Sequence, residues 1–264
     1  MKKPKSEYQI QTVANALRVL EEFRTEAEIG VAELSRRLGL HKNNVFRLLA
    51  TLEEQEYIEQ DAVTERYRLG LAALELGRAF ARSHPLLDRC KPALDALAQA
   101  TQESVHMGML QNFEVVHVHG FAPDRLLLTQ QRVGLRLPAH CTALGKVLVG
   151  CSPDGQREAF ERTAARDGAL EARTPQTIVD SDKFLEHIRT VAGQGYALDL
   201  EECEDGLVCA AAPVHDASGR VAAAISVSAP RARVSDEELI REIAPQVVAA
   251  AESLSRELGY RVPA

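Results

Sequence analysis

Residues 31–70 read VAELSRRLGLHKNNVFRLLATLEEQEYIEQDAVTERYRLG, and this stretch decides the fold of the N-terminal part of the chain. Val31, Leu34 and Leu38 fall on one face of a first short helix, and Gly39 permits the sharp turn after it. In a second helix, apolar residues recur at helical spacings and form the inner stripe: Val45, Leu48, Leu49 and Leu52. The pattern predicts a helix-turn-helix.

The outward face of the second helix carries the side chains that suggest a function. Asn43, Arg47 and Ala50 lie opposite the apolar stripe, and the flanking residues are Lys42, Asn44 and Phe46. Asn bonds adenine edges, Arg bonds guanine or phosphate, and a small residue lets the backbone approach the major groove. We therefore predict specific DNA binding. The alternative is a helix pair that packs in a helical domain with a solvated outer face.

Residues 57–69 favour the DNA-binding interpretation because they fit a two-stranded hairpin that follows the helix pair. In the returning strand, alternation predicts that Tyr67 and Leu69 face the core while Arg66 and Arg68 face outwards. Such a hairpin is the wing of a winged helix-turn-helix, and its arginines would meet DNA phosphates.

Charge supports DNA binding locally and not globally. The formal net charge is −7, which excludes a general polyanion binder. Residues 31–52, however, contain one acidic side chain, Glu33, against four basic ones, Arg36, Arg37, Lys42 and Arg47. A small basic patch on an acidic body predicts salt-dependent, site-selective binding, and we expect a dimer to present it.

The chain of 264 residues has room for a small DNA-binding module and a larger second domain. No apolar run follows the basic start MKKPKSEYQIQ, and no window has the length of a membrane span, so we expect neither a signal peptide nor a membrane partner. The five cysteines lie far apart, which is typical of reduced thiols in a cytoplasm. They are Cys90, Cys141, Cys151, Cys203 and Cys209.

Apolar periodicity places further elements along the chain. An opening helix at 10–24 is expected to bury Ile10, Val13, Leu17, Leu20 and Phe23, and a connecting helix is expected at 71–83. Beyond it we predict helices near 86–100, 141–150, 154–165, 181–193 and 235–258, and strands near 104–110, 113–119, 125–132, 196–200, 207–215 and 220–229. This alternation predicts an α+β domain with a largely antiparallel sheet.

Two clusters raise the question of metal or catalytic chemistry. His117 and His119 stand two apart in a predicted strand, so both rings should share a face. They could form a metal pair, which His140 or Cys141 could join, or they could belong to a polar sheet face or line a pocket. Cys141 follows His140 directly, but neighbours in extended chain point apart, and no orienting carboxylate is evident. Common catalytic motifs are absent from the sequence, so we expect no enzyme, no cofactor and no metal.

The chain resembles the IclR family of bacterial transcription regulators over nearly its full length. The matching segments are VANALRVL at 13–20, the helix-turn-helix, YRLG at 67–70, RVGLRLP at 132–138, CTALGK at 141–146, GYALD at 195–199, EE at 201–202, APV at 212–214 and SVS at 226–228. The resemblance implies a winged helix-turn-helix domain at 1–70, a linker helix at 71–84 and a GAF-like effector-binding domain at 85–264. It also implies a homodimer or homotetramer on promoter DNA.

Residue by residue, the resemblance implies an effector pocket for a small organic acid. Its positions are Ala143, Leu144, Asp199, Cys209, Ser226 and Ser228. Gly145, at the start of an apolar helix, is expected to direct free N–H groups towards an anion. The alternative is that the serines and Cys209 are small core residues.

Together these observations predict a cytoplasmic regulator, a repressor of a catabolic operon, whose promoter binding responds to a small organic acid or aromatic metabolite. A ligand sensor or small-molecule enzyme with a vestigial winged helix is the alternative.

Overall fold

A computed structural model describes residues 8–121, 132–152, 158–160, 162–163 and 170–261. The chain divides into two units, Met1–Pro85 and Leu86–Ala264, which are described separately. The strand expected near 125–132 and the helix expected near 154–165 fall largely outside the described residues. Within the described part, no helix is both long and apolar enough to cross a membrane.

The N-terminal unit consists of three helices, a two-stranded hairpin and a fourth helix that follows the hairpin. Its elements are α1 (Gln11–Glu22), α2 (Val31–Leu38), α3 (Lys42–Glu54), β1 (Ile58–Gln60), β2 (Tyr67–Leu69) and α4 (Leu71–Ser83). Gly39 adopts a φ of +65° between α2 and α3, a left-handed conformation that glycine adopts without strain. The predicted stripe of α3 is buried in one core with Leu34 and Leu38, as expected from its spacing. The winged helix-turn-helix is confirmed.

The predicted inner stripe of α1 is only partly correct. Val19 and Phe23 are buried, whereas Ile10, Val13 and Leu17 are more than half exposed. The helix carries two adjoining apolar stripes, and the core of this small module covers only one of them.

Leu69 is also wrongly assigned to the core, because 44% of its surface is exposed. Tyr67 is buried, since its backbone bonds Ile29 in an isolated bridge that covers this side of the hairpin. Leu69 lies at the end of β2, opposite Ile58 and beyond that bridge.

The C-terminal unit is a six-stranded sheet with helices on both faces. Its strands are β3 (Ser104–Gln111), β4 (Glu114–Phe121), β5 (Arg136–Pro138), β6 (Ala197–Leu200), β7 (Leu207–His215) and β8 (Val221–Pro230), in the order β5-β4-β3-β8-β7-β6. Every pairing is antiparallel. The helices are α5 (Leu86–Thr101), α6 (Ala143–Gly150), α7 (Ser181–Gln194) and a last helix, α8. The α+β fold class is confirmed.

Helix α8 is continuous but irregular. It comprises Asp236–Glu238, the π-helical Leu239–Ile243 and Ala244–Glu257. Pro245 has no N–H to complete the i→i−4 ladder, which accounts for the π segment just before it. Ser235 caps the helix and forms a capping box with Glu238.

Alternation along the strands sends side chains to two faces of the sheet. Cys209 and Ala211 of β7 pack with α6 in one apolar cluster, and α7 covers α6. Ala212 and His215 lie beside α8 on the other face, where α5 also packs. The polar side chains discussed next lie on the α6 face.

Candidate functional site

The outward face of α3 is a solvent-exposed polar surface. Asn43, Asn44 and Arg47 are exposed, and Phe46 has 57% of its surface exposed although it is aromatic. His41 caps the helix, since its Nδ1 accepts a hydrogen bond of 3.3 Å from the Asn43 N–H. Because the apolar stripe of α3 is buried, the amide and guanidinium groups on the opposite face point to solvent. His41 caps the helix and so fixes where this face begins.

Arg37, which the sequence predicts to bind DNA, is engaged in ion pairs within the N-terminal unit. Its guanidinium pairs with Glu22 at 3.4 Å, Glu26 at 3.0 Å and Glu33 at 2.5 Å. The Arg37 guanidinium holds the pKa of the Glu33 carboxyl below its usual value. Two of these carboxylates come from α1 and the turn after it, so a local charge count does not reveal them. Arg37 ties α1 to α2.

The remaining basic candidates differ in their present partners. Arg66 Nη2 donates to the Glu28 carbonyl at 2.7 Å, and Arg68 pairs with Glu59 across the hairpin. Both side chains are about half exposed, so water competes for these contacts. Arg36 on α2 and Lys42 at the start of α3 are exposed. These four side chains can turn towards phosphates without uncovering the core.

In the C-terminal unit, neighbouring strands bring distant residues together on the α6 face. Asp199 of β6 lies opposite Cys209 of β7, which lies opposite Ser228 of β8. With Ser226 they surround a cavity of about 20 Å³, which we call the inner chamber. It is lined by His117, Arg132, Thr142, Ala143, Leu144, Asp199, Cys209, Ser226 and Ser228. Pocket lining was one of the interpretations of His117 from the sequence, whereas sequence reasoning did not identify Arg132 or Thr142 as lining residues.

Asp199 is the electrostatic centre of the inner chamber. Its Oδ1 accepts backbone hydrogen bonds from Glu202 at 2.8 Å and Cys203 at 3.3 Å. Burial nevertheless raises the pKa of this carboxyl to about 7, although the nearby Lys146 ammonium opposes the rise. The protonated form of Asp199 is therefore accessible near neutral pH and can donate a hydrogen bond to an acceptor in the chamber.

Lys146 is a fully buried cation beneath the chamber. Its Nζ donates to the Leu198 carbonyl at 2.9 Å and forms a buried ion pair with Glu202. The lysine links α6 to the end of β6, on which Asp199 stands. It therefore holds together the two elements that form the chamber wall.

Gly145 has a packing role, which corrects the expectation of a free N–H at this position. Its N–H donates to the side chain of the N-cap Thr142 at 3.1 Å. A Cβ at this position would lie 2.2 Å from the Ala139 carbonyl oxygen, so only glycine fits. Ala143 and Leu144 line the chamber, whereas Gly145 does not.

His117 and His119 do not share a face, contrary to the simple alternation. The register between β3 and β4 shifts by one residue at Val118, a β-bulge that reverses the side-chain direction. His117 lines the inner chamber, whereas the charges nearest His119 are those of α5. No group of three or more His, Cys, Asp or Glu side chains suited to a metal occurs among the described residues.

A second histidine, His106, packs edge-on against His117 with 5.6 Å between ring centroids. Neither ring nitrogen of His106 has a hydrogen-bond partner among the described residues, nor does Nδ1 of His117. Burial lowers the pKa of His106 to about 3 and that of His117 to about 4, so both rings are neutral at pH 7. Of these two histidines, His117 lines the inner chamber, so its Nδ1 is the nitrogen that a polar ligand in the chamber could use.

Arg132 separates the inner chamber from a larger cavity of about 460 Å³, which we call the outer cavity. Its guanidinium lines both and pairs with Glu204 at 2.7 Å. The outer cavity is further lined by Leu135, Leu137, Arg173, Cys203, Glu204, Asp205, Gly206, Leu207 and Pro230. One arginine thus stands between a small polar chamber and a mixed apolar and charged one.

Comparison with known proteins agrees with this architecture. Residues 12–62 match the model of the IclR helix-turn-helix domain, and residues 78–256 match that of the bacterial transcriptional regulator IclR C-terminal domain. The chain belongs to the IclR family. It is a transcriptional regulator with a DNA-binding helix-turn-helix and a C-terminal effector domain.

Individual relatives cover almost the whole chain. The HTH-type transcriptional regulator XynR of Escherichia coli K12 is 34% identical over 95% of this chain and 98% of its own length. A transcriptional regulator from Rhodococcus sp. RHA1 has a structure with a TM-score of 0.80 at 28% identity, covering 95% and 98% of the two chains. An IclR homologue from Microbacterium hydrocarbonoxydans, solved with 4-hydroxybenzoate, has the same fold, with a TM-score of 0.80 at 20% identity over 94% and 98%.

Proposed function

We propose that this regulator represses a catabolic operon by binding its promoter through α3, and that a small organic acid or aromatic metabolite in the inner chamber relieves repression. The observation that carries the DNA-binding part is the exposed Asn43 and Arg47 face above a fully buried stripe. We assign base reading to Asn43, Asn44 and Arg47, with Phe46 against sugar or a thymine methyl group. Phosphate contacts are assigned to Arg36, Lys42, Arg66 and Arg68.

The DNA test compares two double variants on the promoter region of the protein's own gene. In Asn43→Ala with Arg47→Ala, we expect specific affinity to fall by about 10²-fold or more, since each good base contact contributes about 1–3 kcal/mol. The matched control is Arg89→Ala with Gln99→Ala, which removes one exposed arginine and one exposed amide from α5. Fluorescence anisotropy at two salt concentrations, with circular dichroism as a folding check, gives the result. Unchanged site selectivity in the α3 variant contradicts the assignment.

For the effector, we propose that its polar head enters the inner chamber and its body lies in the outer cavity. The inner chamber alone, at about 20 Å³, has room for little more than one water. A larger acid must therefore extend past Arg132, whose guanidinium suits a carboxylate. Protonated Asp199 can donate to the ligand, which removes the repulsion that two carboxylates would otherwise have.

A thermal-shift screen of organic and aromatic acids, 4-hydroxybenzoate included, tests the effector assignment. Any acid that raises the melting temperature of the wild type is expected to lose most of its effect in Ser226→Ala and in Arg132→Gln. Ser152→Ala serves as the control, because Ser152 is also buried and its hydroxyl donates to the Leu148 carbonyl of the preceding helix. An unchanged shift in Ser226→Ala places the ligand elsewhere.

We propose that the protein acts as a homodimer, with the tetramer as a further prediction. The exposed stripe of Ile10, Val13 and Leu17 on α1, with Leu71 and Phe80 on α4, leaves apolar surface that a second copy would cover. Sedimentation of the wild type against Val13→Glu tests this, and a monomeric wild type contradicts it.

We propose that the chain is divided into a DNA-binding domain at 1–70, a linker helix at 71–84 and an effector domain at 85–264. We also propose that the protein is cytoplasmic. We propose that the ligand changes the spacing of two DNA-binding modules through the linker helix, by binding one dimer arrangement better than the other. A footprint with and without ligand tests this. Ligand turnover without any protected site would instead support an enzyme with a vestigial winged helix.

A further inference from the structure

Two cysteine thiols lie near each other beside the inner chamber. Cys141 ends the 3-10 turn before α6, and Cys203 lies in the turn between β6 and β7. Both are buried, and the two side chains are close enough for each thiol to shift the pKa of the other. No disulfide joins any of the five cysteines in this structure.

The surroundings make the two thiols chemically different. The Cys141 S–H donates to the Pro138 carbonyl at 3.6 Å, and the interaction between the two thiols lowers the pKa of Cys203 and raises that of Cys141. The guanidinium groups of Arg132 and Arg173 act in the same direction on Cys203. Cys203 is therefore the thiol that more readily forms a thiolate, and the thiolate is the nucleophile in sulfur chemistry.

A route to Cys203 exists although little of its surface is exposed. The residue lines the outer cavity of about 460 Å³, which has ample room for an oxidant of a few atoms. Arg132 and Arg173 line the same cavity. Arg173 also donates from Nε to the Cys203 carbonyl at 3.3 Å, which holds this turn against the cavity wall.

We propose that Cys203 and Cys141 are a reversible redox site, in which a hydroperoxide oxidises Cys203 and Cys141 then forms a disulfide with it. The Cys203 thiolate attacks the terminal peroxide oxygen, the O–O bond breaks, and the sulfur becomes a sulfenic acid while the protonated leaving group departs as water or alcohol. The Cys141 sulfur then displaces hydroxide from the sulfenic acid, and its own proton leaves with the hydroxide as a second water. Two thiols lose two electrons to one peroxide.

The other cysteines lack this combination of features. Cys90 donates to the Leu87 carbonyl, and burial raises its pKa to about 11. Cys209 donates to Ser228 within the inner chamber, and burial raises its pKa as well. Cys151 is half-buried at the end of α6. Accessibility alone therefore predicts Cys151 as the oxidised residue, whereas the contact and cavity predict Cys203.

The disulfide would act directly on the effector site. Cys141 precedes the chamber residue Thr142, and the Cys203 N–H is held by Asp199 Oδ1 at 3.3 Å. A bond between the two sulfurs would fix the start of α6 to the turn after β6. This consequence depends on the proposed effector function, but the disulfide itself does not.

The test uses the reduced full-length protein and hydrogen peroxide, followed by peptide mapping without reduction. We expect an intact mass about 2 Da lower, a linked peptide pair containing Cys141 and Cys203, and full reversal by dithiothreitol. Thiol titration in denaturant should fall by two of the five cysteines. The proposal is overturned if the disulfide joins any other two cysteines or links two chains. It is also overturned if Cys151 is oxidised while Cys141 and Cys203 remain as free thiols.

Variants separate the roles of the two sulfurs. In Cys141→Ser, a sulfenic acid should accumulate at Cys203 and be trapped by dimedone, whereas Cys203→Ser should give neither product. Cys90→Ser and Cys151→Ser are the controls and should form the disulfide like the wild type. The wild-type peptide map decides the proposal even if a variant fails to fold. It requires neither DNA nor effector, so its failure leaves the proposed function untouched.

Discussion

The buried lysine of α6 allows one strong prediction about stability. Lys146 has no exposed surface, and it is held by Glu202 and by the Leu198 carbonyl. Lys146→Met keeps the length of the side chain but removes the cation. Glu202 has 7% of its surface exposed, and its Oε2 has no hydrogen-bond partner among the described residues. It would then remain as an uncompensated buried charge.

The expected magnitude follows from the interactions that are lost. Removing one partner of a buried ion pair costs about 3–5 kcal/mol, because the remaining charge keeps its desolvation penalty. For a unit of this size, each kcal/mol lowers the melting temperature by about 2–4 °C, so we expect a decrease of about 10 °C. Adding Glu202→Gln to Lys146→Met removes the orphaned charge and should recover at least about half of the lost stability.

Thermal unfolding followed by circular dichroism measures this effect. The chain contains no Trp, so tryptophan fluorescence offers no signal. The two units can melt separately, and a core variant of the N-terminal module such as Leu49→Ala identifies which transition belongs to which unit. A loss below about 1 kcal/mol in Lys146→Met, or a double variant no more stable than the single one, would refute the reasoning.

Three further outcomes follow from the structure. Leu49→Ala, at a fully buried position, should destabilise the N-terminal unit by about 3 kcal/mol in urea unfolding, and a change under about 1 kcal/mol would contradict its core position. Gly145→Ala places a Cβ 2.2 Å from the Ala139 carbonyl and should cost about 1–3 kcal/mol, whereas Gly193→Ala, with open space around it, should be neutral or stabilising. Asp199 has a folded pKa of about 7 against an ordinary 3.8, so the folded state binds more protons between these values and loses stability as pH rises from 4 to 7. Asp199→Asn should remove this part of the pH dependence of the free energy of unfolding, on the order of 4 kcal/mol. If the free energy of unfolding falls equally steeply with pH in the wild type and in Asp199→Asn, the prediction is contradicted.

The DNA-binding module shows how far a sequence pattern reaches. Val45 and Leu49 are buried and Asn43 and Arg47 are exposed because helical periodicity alone assigns them to opposite faces. The same rule was insufficient for α1. Its apolar residues form two adjoining stripes, and only the packing of the other helices decides which stripe is covered.

The inner chamber shows a different limit of prediction from sequence. Family resemblance led to Asp199, Cys209, Ser226 and Ser228, and the antiparallel register places them side by side. Family resemblance did not identify Arg132 as a lining residue. Arg132 lines the same cavity because of the tertiary fold.

The two histidines of β4, His117 and His119, are a smaller example in which the sequence pattern did not predict the side-chain direction. Strict alternation placed both on one face, and a single unpaired residue, Val118, separates them. The contact of Cys141 with Cys203 has no sequence signal at all, since their spacing matches no motif.

By itself, the amino-acid sequence determined the family, the winged helix and the outward surface of α3. These depend on the turn-by-turn repetition of apolar residues and on ordered local motifs. Tertiary structure alone decided which ion pairs engage Arg37, how Lys146 and Asp199 share a buried wall, and which thiols meet. Such contacts join residues far apart in the chain, and their energies depend on burial and strand register, which local spacing does not encode.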